Sequence, residues 1–424
     1  MRRLQLAAAA ALAAALTIPA GVDAQGPTAP DLRHAASAIV VDARDGSVIL
    51  QKGADARRPI ASTTKLMTAL LVLERARPGD VFAAADYSPL PVESKINLRA
   101  GERMRVDDLL EGLLLESAND AAVTLAEGVA GSRSAFVREM NARARRLGLR
   151  GTSYANPIGL DDPANLSTAR DLATLARRLL ENERFAKIVD SPSAVLESGA
   201  TRRVVGNRND LVARYPFVQG VKTGHTRAAG YVLVGAASSR LGAKVVSVVL
   251  GEPGERARDV DTLALLRYGL GRFRRVKALD ARHIAATTGV EHRDERARLV
   301  PSRDLFTVLR SGERIEKRVS APEVLAGELP AGTRVGRVTV LRGRRVVERV
   351  PLVTAAEVPG AGPLRVLLDD LGLALTLVLL VVILSLVAFT ASLLWRRQRA
   401  RELAQRRGAR GRPEVGAEGP PPTT

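Results

Sequence analysis

The sequence predicts an α+β fold: one antiparallel sheet with a cluster of helices, then a small all-β domain, then a single membrane-spanning helix. Three observations carry this. Strand-like runs at residues 38–50 and 218–250 bracket a block whose apolar residues recur at helical spacing. Short Val-rich runs with Gly and Pro turns fill residues 275–358. Leu371 to Trp395 carries no charge and is dominated by Leu and Val, and a span needs about 20 such residues.

Taken in order, residues 1–24 read as an export signal, with Arg2 and Arg3 ahead of an apolar stretch from Leu4 to Ile18. Small residues up to Ala24 then suit cleavage. Residues 25–35 form a polar linker. Ala38 to Val41 and Ser47 to Leu50 flank Asp45-Gly46, a hairpin signal. From Ser62 the pattern is helical through Leu66, Met67, Leu70, Leu71 and Leu73, until Pro78-Gly79 stops it. Helical patterns recur at Val106–Glu116, Ala121–Gly128 and Ala135–Leu147, and Thr168 with Asp171 makes a capping box for a helix from Ala169 to Leu180. Val218–Thr223, Tyr231–Ala237 and Val245–Leu250 are strands, and a helix around Asp261–Tyr268 closes a catalytic-sized unit at 36–274. In the β-rich unit 275–358, Val335–Leu341 and Val346–Val353 are the clearest strands. A Pro- and Gly-containing juxtamembrane linker, 359–370, leads to the span at 371–395. The tail 396–424 begins with Arg396, Arg397, Arg399 and Arg401, and positive flanks stay in the cytoplasm, so the body is expected outside.

Composition narrows the chemistry. The net charge of +19 is spread along the whole chain without aromatic interleaving, a pattern that argues against nucleic-acid binding. Cysteine is absent and only four histidines occur, without paired-ligand spacing. Disulfides, thiolate chemistry and a zinc hydrolase are thereby set aside, and neither a metal nor a cofactor is called for.

A serine nucleophile remains. Ser62-Thr63-Thr64-Lys65 puts Ser62 at a helix start and Lys65 one turn on, on the same face. A serine hydroxyl needs a base to take its proton, and a lysine serves only where burial or nearby positive charge makes it partly neutral. The helix N-terminus adds backbone N–H groups and positive potential where an oxyanion would form. Alone, S-x-x-K is a weak signal, since an N-capping serine followed by a surface lysine gives the same letters. Here Ser117-Ala118-Asn119 follows at a helix break and Lys222-Thr223-Gly224 at a strand end. These three elements in this order mark penicillin-binding proteins and class A β-lactamases.

With those motifs, Asn156 to Asp161, Ser167-Thr168-Ala169 with Asp171-Leu172, and His225-Thr226 with Ala229-Gly230-Tyr231, the chain from about residue 35 to 275 resembles the D-alanyl-D-alanine carboxypeptidases among the low-molecular-mass penicillin-binding proteins. The later β-rich unit resembles that family's second domain more loosely, and a full span with a tail is longer than the amphipathic anchors of some members. The resemblance implies the penicillin-binding, β-lactamase-like transpeptidase fold. It also implies a penicillin-sensitive serine carboxypeptidase that removes the terminal D-Ala from peptidoglycan stem peptides ending in D-Ala-D-Ala, with β-lactams as inhibitors.

Carried over, Ser62 is the nucleophile, Lys65 its base, and Ser117 and Lys222 extend the proton and charge network. Asn119 orients the substrate amide, and Thr223 and Gly224 line the docking strand. The backbone N–H groups of Ser62 and His225 form the oxyanion hole, and Arg258 helps hold the substrate carboxylate. A D,D-endopeptidase would use the same site. A β-lactamase would need a deacylating glutamate, and Asn156–Asp161 contains none, while Glu181 and Glu183 fall at a helix end. A non-catalytic wall-binding protein would have lost Ser62, Lys65 or Lys222, and all three are present.

Overall fold

β-Branched and small apolar residues in continuous runs build a sheet buried on both faces, and this is what residues 37–252 contain at their two ends. In the computed structural model, which describes residues 28–409, β1 (Ser37–Asp42) and β2 (Val48–Lys52) form the expected hairpin. β3 (Val218–Thr226), β4 (Gly230–Ser238) and β5 (Lys244–Glu252) complete a five-stranded sheet in the order β2-β1-β5-β4-β3. Every pairing in it is antiparallel. The first and last parts of the unit therefore meet at the β1–β5 pair, where Ser37 to Asp42 register with Leu250 to Val245. The expected export signal and the far end of the tail lie outside the described residues.

Between these strands come α1 (Lys65–Arg75), α2 (Val106–Glu111), α3 (Asn119–Ala130), α4 (Arg133–Arg146), α5 (Ala169–Leu180) and α6 (Glu183–Val189). One face of the sheet packs on this cluster, with Ile39, Val41, Val232, Val246 and Val248 meeting Leu66, Met67, Leu110 and Leu172. The other face packs on α7 (Glu255–Gly271), where Val40, Leu233 and Val249 meet Leu265 and Leu266. Burying a side chain of this size stabilises the fold by about 1.5–3 kcal/mol.

Three local differences from the sequence reading stand out. The helical pattern at Val106–Glu116 is α2 followed by a π turn, Gly112–Glu116, that ends on Ser117 in the left-handed region at φ 65°. Thr168 caps α5 by accepting from Asp171 N–H (3.0 Å), but the box is not reciprocal. The Asp171 carboxylate instead accepts from Gly151 N–H (2.8 Å) and Thr152 Oγ1 (2.7 Å). α6 and a short hairpin, Ser193–Leu196 with Arg203–Gly206, occupy a stretch with no clear periodicity.

The chain divides into two compact units. One reaches Val276 and takes in Phe306–Arg314; the other comprises Lys277–Leu305 and the residues from Ile315 on. The second contains a six-stranded sheet with its own core of Leu299, Val338, Val340, Val350 and Leu352. Its strands are β6 (Ala286–Val290), β7 (Arg293–Pro301), β8 (Ile315–Ser320), β9 (Val324–Leu325), β10 (Arg334–Arg342) and β11 (Arg345–Thr354), in the order β8-β10-β11-β7-β6-β9. It ends in α8 (Pro363–Ala409), which bends at Gly372 (φ 76°, ψ 156°). Beyond the bend, its Leu and Val side chains stand exposed, and among the described residues it is the one helix long and apolar enough to cross a membrane.

Candidate active site

Ser62 sits in a single 3-10 turn, Ala61–Thr64, that leads straight into α1. The turn is held in an unusual shape. Ala61 has φ 47°, in the left-handed region that non-glycine residues seldom adopt. Ile60 O accepts from both Thr63 N–H (3.2 Å) and Thr63 Oγ1 (2.6 Å). Two glycines let other segments press against it. A Cβ on Gly159 would lie 2.1 Å from Ala61 O, and one on Gly224 would lie 2.9 Å from Ser62 N. The strand β3 and the 156–161 segment can approach Ser62 this closely only without side chains there.

Lys65, the first residue of α1, is fully buried. Its Nζ donates to Ser62 Oγ (3.1 Å), Asn119 Oδ1 (2.6 Å) and Ile158 O (2.6 Å). Asn156 shapes the loop that offers the last of these, its Oδ1 accepting from Gly159 N–H (2.6 Å) and Leu160 N–H (3.2 Å). Burial, and then the cation of Lys222, hold Lys65 well below the ordinary lysine range, while Glu93 and Asp120 act the other way. Lys222 is itself fully buried, in the middle of β3 rather than at its end. Burial lowers it to about 7, reinforced by Arg208 and Arg258 and opposed by Glu116. Its Nζ donates to Thr223 O (3.1 Å).

The structure thus joins Ser62, Lys65 and Asn119 directly and places Lys222 within electrostatic reach of Lys65. Ser117 is buried at the end of the π turn, two residues before Asn119 opens α3. Thr223 and Gly224 are buried in β3, and His225 is exposed with its ring stacked on Tyr231, 4.1 Å between centroids. A stacked, exposed ring fits a residue that serves through its backbone. Arg258 lies buried on α7 with its guanidinium on Asp259 Oδ1 and Glu255 Oε1, both at 2.8 Å, so its charge reaches Lys222 while its donors are partly taken.

Two groups escaped the sequence reading. Glu93, in the loop before α2, accepts from Asn119 Nδ2 at 2.6 Å. Arg208 pairs with Glu116 beside Lys222. Both stand in segments without periodicity, and no short motif marks either. As for a metal, the carboxylates of Asp42, Asp45 and Glu313 cluster within 4.8 Å, but Arg44 already meets Asp42 and Glu313.

Comparison with known proteins gives a consistent picture. A family model described as D-alanyl-D-alanine carboxypeptidase matches residues 23–254, over half of the chain. The D-alanyl-D-alanine carboxypeptidase DacF of Bacillus subtilis is 28% identical over 358 residues, covering 82% of this chain and 92% of that protein. DacD of Escherichia coli is 32% identical over 362 residues, covering 81% and 91%. Among solved structures, penicillin binding protein 5 from Haemophilus influenzae aligns with a TM-score of 0.57 at 28% identity, covering 78% of this chain and 99% of that one. The Streptomyces K15 DD-transpeptidase aligns with a TM-score of 0.55 at 31% identity, covering 57% and 99%.

Proposed function

The chain belongs to the D-alanyl-D-alanine carboxypeptidase family, and on that premise we propose that it removes the terminal D-Ala from peptidoglycan stem peptides through an acyl-enzyme on Ser62, with Lys65 as the base. One observation carries the assignment: the buried Lys65 Nζ faces three acceptors. An ammonium uses all three. A neutral amine keeps two protons, on Asn119 Oδ1 and Ile158 O, and its lone pair then points at Ser62. Burial and Lys222 favour that neutral form.

Ser62 Oγ then attacks the carbonyl of the penultimate D-Ala as its proton passes to Lys65. The oxyanion develops toward the N–H groups of Ser62 and His225, in the turn and strand that Gly224 lets approach. Collapse breaks the peptide bond. The proton returns through Lys65 and Ser117 to the departing amine, and water then releases the acyl group. Asn119 holds the substrate amide, and Lys222, Thr223 and Arg258 supply the cations and the hydroxyl for the terminal carboxylate. β-Lactams enter the same path and stop at the acyl-enzyme.

The detergent-solubilised chain should be labelled once by fluorescent penicillin, on the peptide carrying Ser62, and should release D-Ala from a pentapeptide ending in D-Ala-D-Ala. Labelling that survives Ser62→Ala refutes the assignment. α8 serves as the anchor, with the catalytic unit outside and the Arg-rich tail in the cytoplasm. A tag after Thr424 should resist protease added to spheroplasts, and digestion of that tag would reverse the orientation.

A further inference from the structure

Glu93 has no part in the mechanism above, yet it stands one hydrogen bond from it. Its Oε2 accepts from Asn119 Nδ2 (2.6 Å) and from the Tyr87 hydroxyl, and its Oε1 accepts from Leu90 N–H (3.0 Å). The loop that bears it is clipped to the start of α3. Asn119 N–H donates to Ser94 O (2.8 Å), and the Asp120 carboxylate accepts from Ile96 N–H (3.1 Å) and Leu98 N–H (3.0 Å). Glu93 is therefore held from three sides and half-buried, not a side chain sweeping solvent.

Its partner is the group that most needs orienting. A carboxamide has two ends that a 180° turn exchanges, one accepting and one donating. While Lys65 is an ammonium, it tolerates only Oδ1. Once Lys65 gives up a proton, its lone pair could accept from Nδ2 if the amide turned over, and the base would then be spent on Asn119 instead of Ser62. A carboxylate accepts only, so Glu93 admits only Nδ2 on its side and forbids the turn. Partial burial works against the charge on Glu93, but the donors Tyr87, Asn119 and Leu90 outweigh it and keep the carboxyl below the ordinary glutamate range, so it is an anion at neutral pH.

We propose that Glu93 is a positioning residue of this peptidase, which locks the Asn119 carboxamide with Oδ1 toward Lys65 and places a negative charge one hydrogen bond beyond that amide. The inference rests on Lys65 being the base. Asn119 has two N–H bonds; Glu93 takes one and leaves the other for the substrate amide.

The test uses the full-length chain in detergent, with Glu93→Gln and Glu93→Asp, and follows acylation by fluorescent penicillin from about pH 5 to 10, together with labelling stoichiometry and deacylation. Glu93→Gln removes the anion. Its limiting acylation rate should fall about tenfold, the scale of one hydrogen bond to a charged group, and the ascending limb of its pH profile should move to lower pH. Glu93→Asp keeps the anion but draws it back from Asn119, so its rate should fall while the limb stays in place. A limb that does not move in Glu93→Gln overturns the proposal, as does a loss confined to stoichiometry, which marks a merely structural role. Normal acylation with stalled deacylation overturns it too, making Glu93 a hydrolytic base. Absence of any label on Ser62 in the unmodified chain would instead refute the reading on which the proposal rests.

Discussion

Gly159→Ala should separate the cost of a strained backbone from the cost of a displaced nucleophile. Gly159 has φ 92°, and an added Cβ would lie 2.1 Å from Ala61 O, 2.5 Å from Ala61 C and 3.0 Å from Ser62 Cα. Ordinary contacts begin near 3.4 Å, so the 156–161 segment and the Ser62 turn must part by roughly 1 Å. A misplacement of about that size costs a catalytic geometry on the order of 10²-fold. The clash also bears on Lys65, because Ile158 O, its acceptor at 2.6 Å, is in the adjacent residue. Gly148→Ala is the control: φ is 74°, but nothing lies within 4 Å of the added Cβ. Both variants place an L side chain in a disfavoured region, and both should lose some melting temperature. Only Gly159→Ala should lose acylation, by about 10²-fold among correctly folded molecules, measured as the second-order rate constant for fluorescent penicillin. Equal acylation by the two folded variants would refute the claim that close approach at Gly159 sets the position of Ser62.

Three further outcomes follow from the site. Lys65→Arg should slow acylation on the order of 10²-fold or more, since a guanidinium cannot be deprotonated, while Lys222→Arg keeps its charge and should lose less; equal tolerance at both positions would undo the role assignment. Amidating the terminal carboxylate of a D-Ala-D-Ala peptide should lower kcat/KM by roughly ten- to a hundredfold, read as released D-Ala, and unchanged turnover would remove Lys222, Thr223 and Arg258 from carboxylate binding. On β5, Glu252 is buried, and burial and then a side-chain hydrogen bond with Asp261 raise it above the ordinary glutamate range. A raised carboxyl favours the folded state at pH below its ordinary value of 4.5 and loses that contribution as pH rises through the folded value. Glu252→Gln should therefore melt higher than the parent at about pH 8 and nearly with it at about pH 4, at roughly 2–4 °C for each kcal/mol regained; a gap independent of pH would refute the assignment.

The residues that build the sheet announce themselves because their burial is local in pattern: Ser37–Asp42 and Lys244–Glu252 are apolar runs that any face of a sheet would bury. Ser62, Lys65, Asn119 and Lys222 are legible for a different reason. Each sits at a fixed offset within a short motif, because a turn or a strand delivers the pair together. Glu93 obeys neither rule. It reaches Asn119 from an irregular loop 26 residues upstream, and only the clip to α3 brings the two together. Arg208 is likewise placed by its backbone bond to Leu115 O, between segments that the sequence leaves unpaired. The true extent of the motif strand was also hidden, since β3 continues through His225 to Thr226, pairing with Tyr231 and Gly230.

The π turn at Gly112–Glu116 bears on which length changes this chain can absorb. Its wider winding holds one residue more than a regular helix would need over the same rise, and Ser117 leaves it in a left-handed conformation. Removing a single residue there would let α2 run on as ordinary helix over the same rise, without the wide turn that Ser117 now closes in its left-handed conformation. The exit that sets Ser117 two residues ahead of Asn119 and the start of α3 would be lost, even with every letter of the motif intact. The turn at the unobstructed Gly148, just after α4, carries no such constraint. Insertions and deletions should therefore accumulate in the loops and stay out of residues 112–119, where spacing matters as much as residue identity.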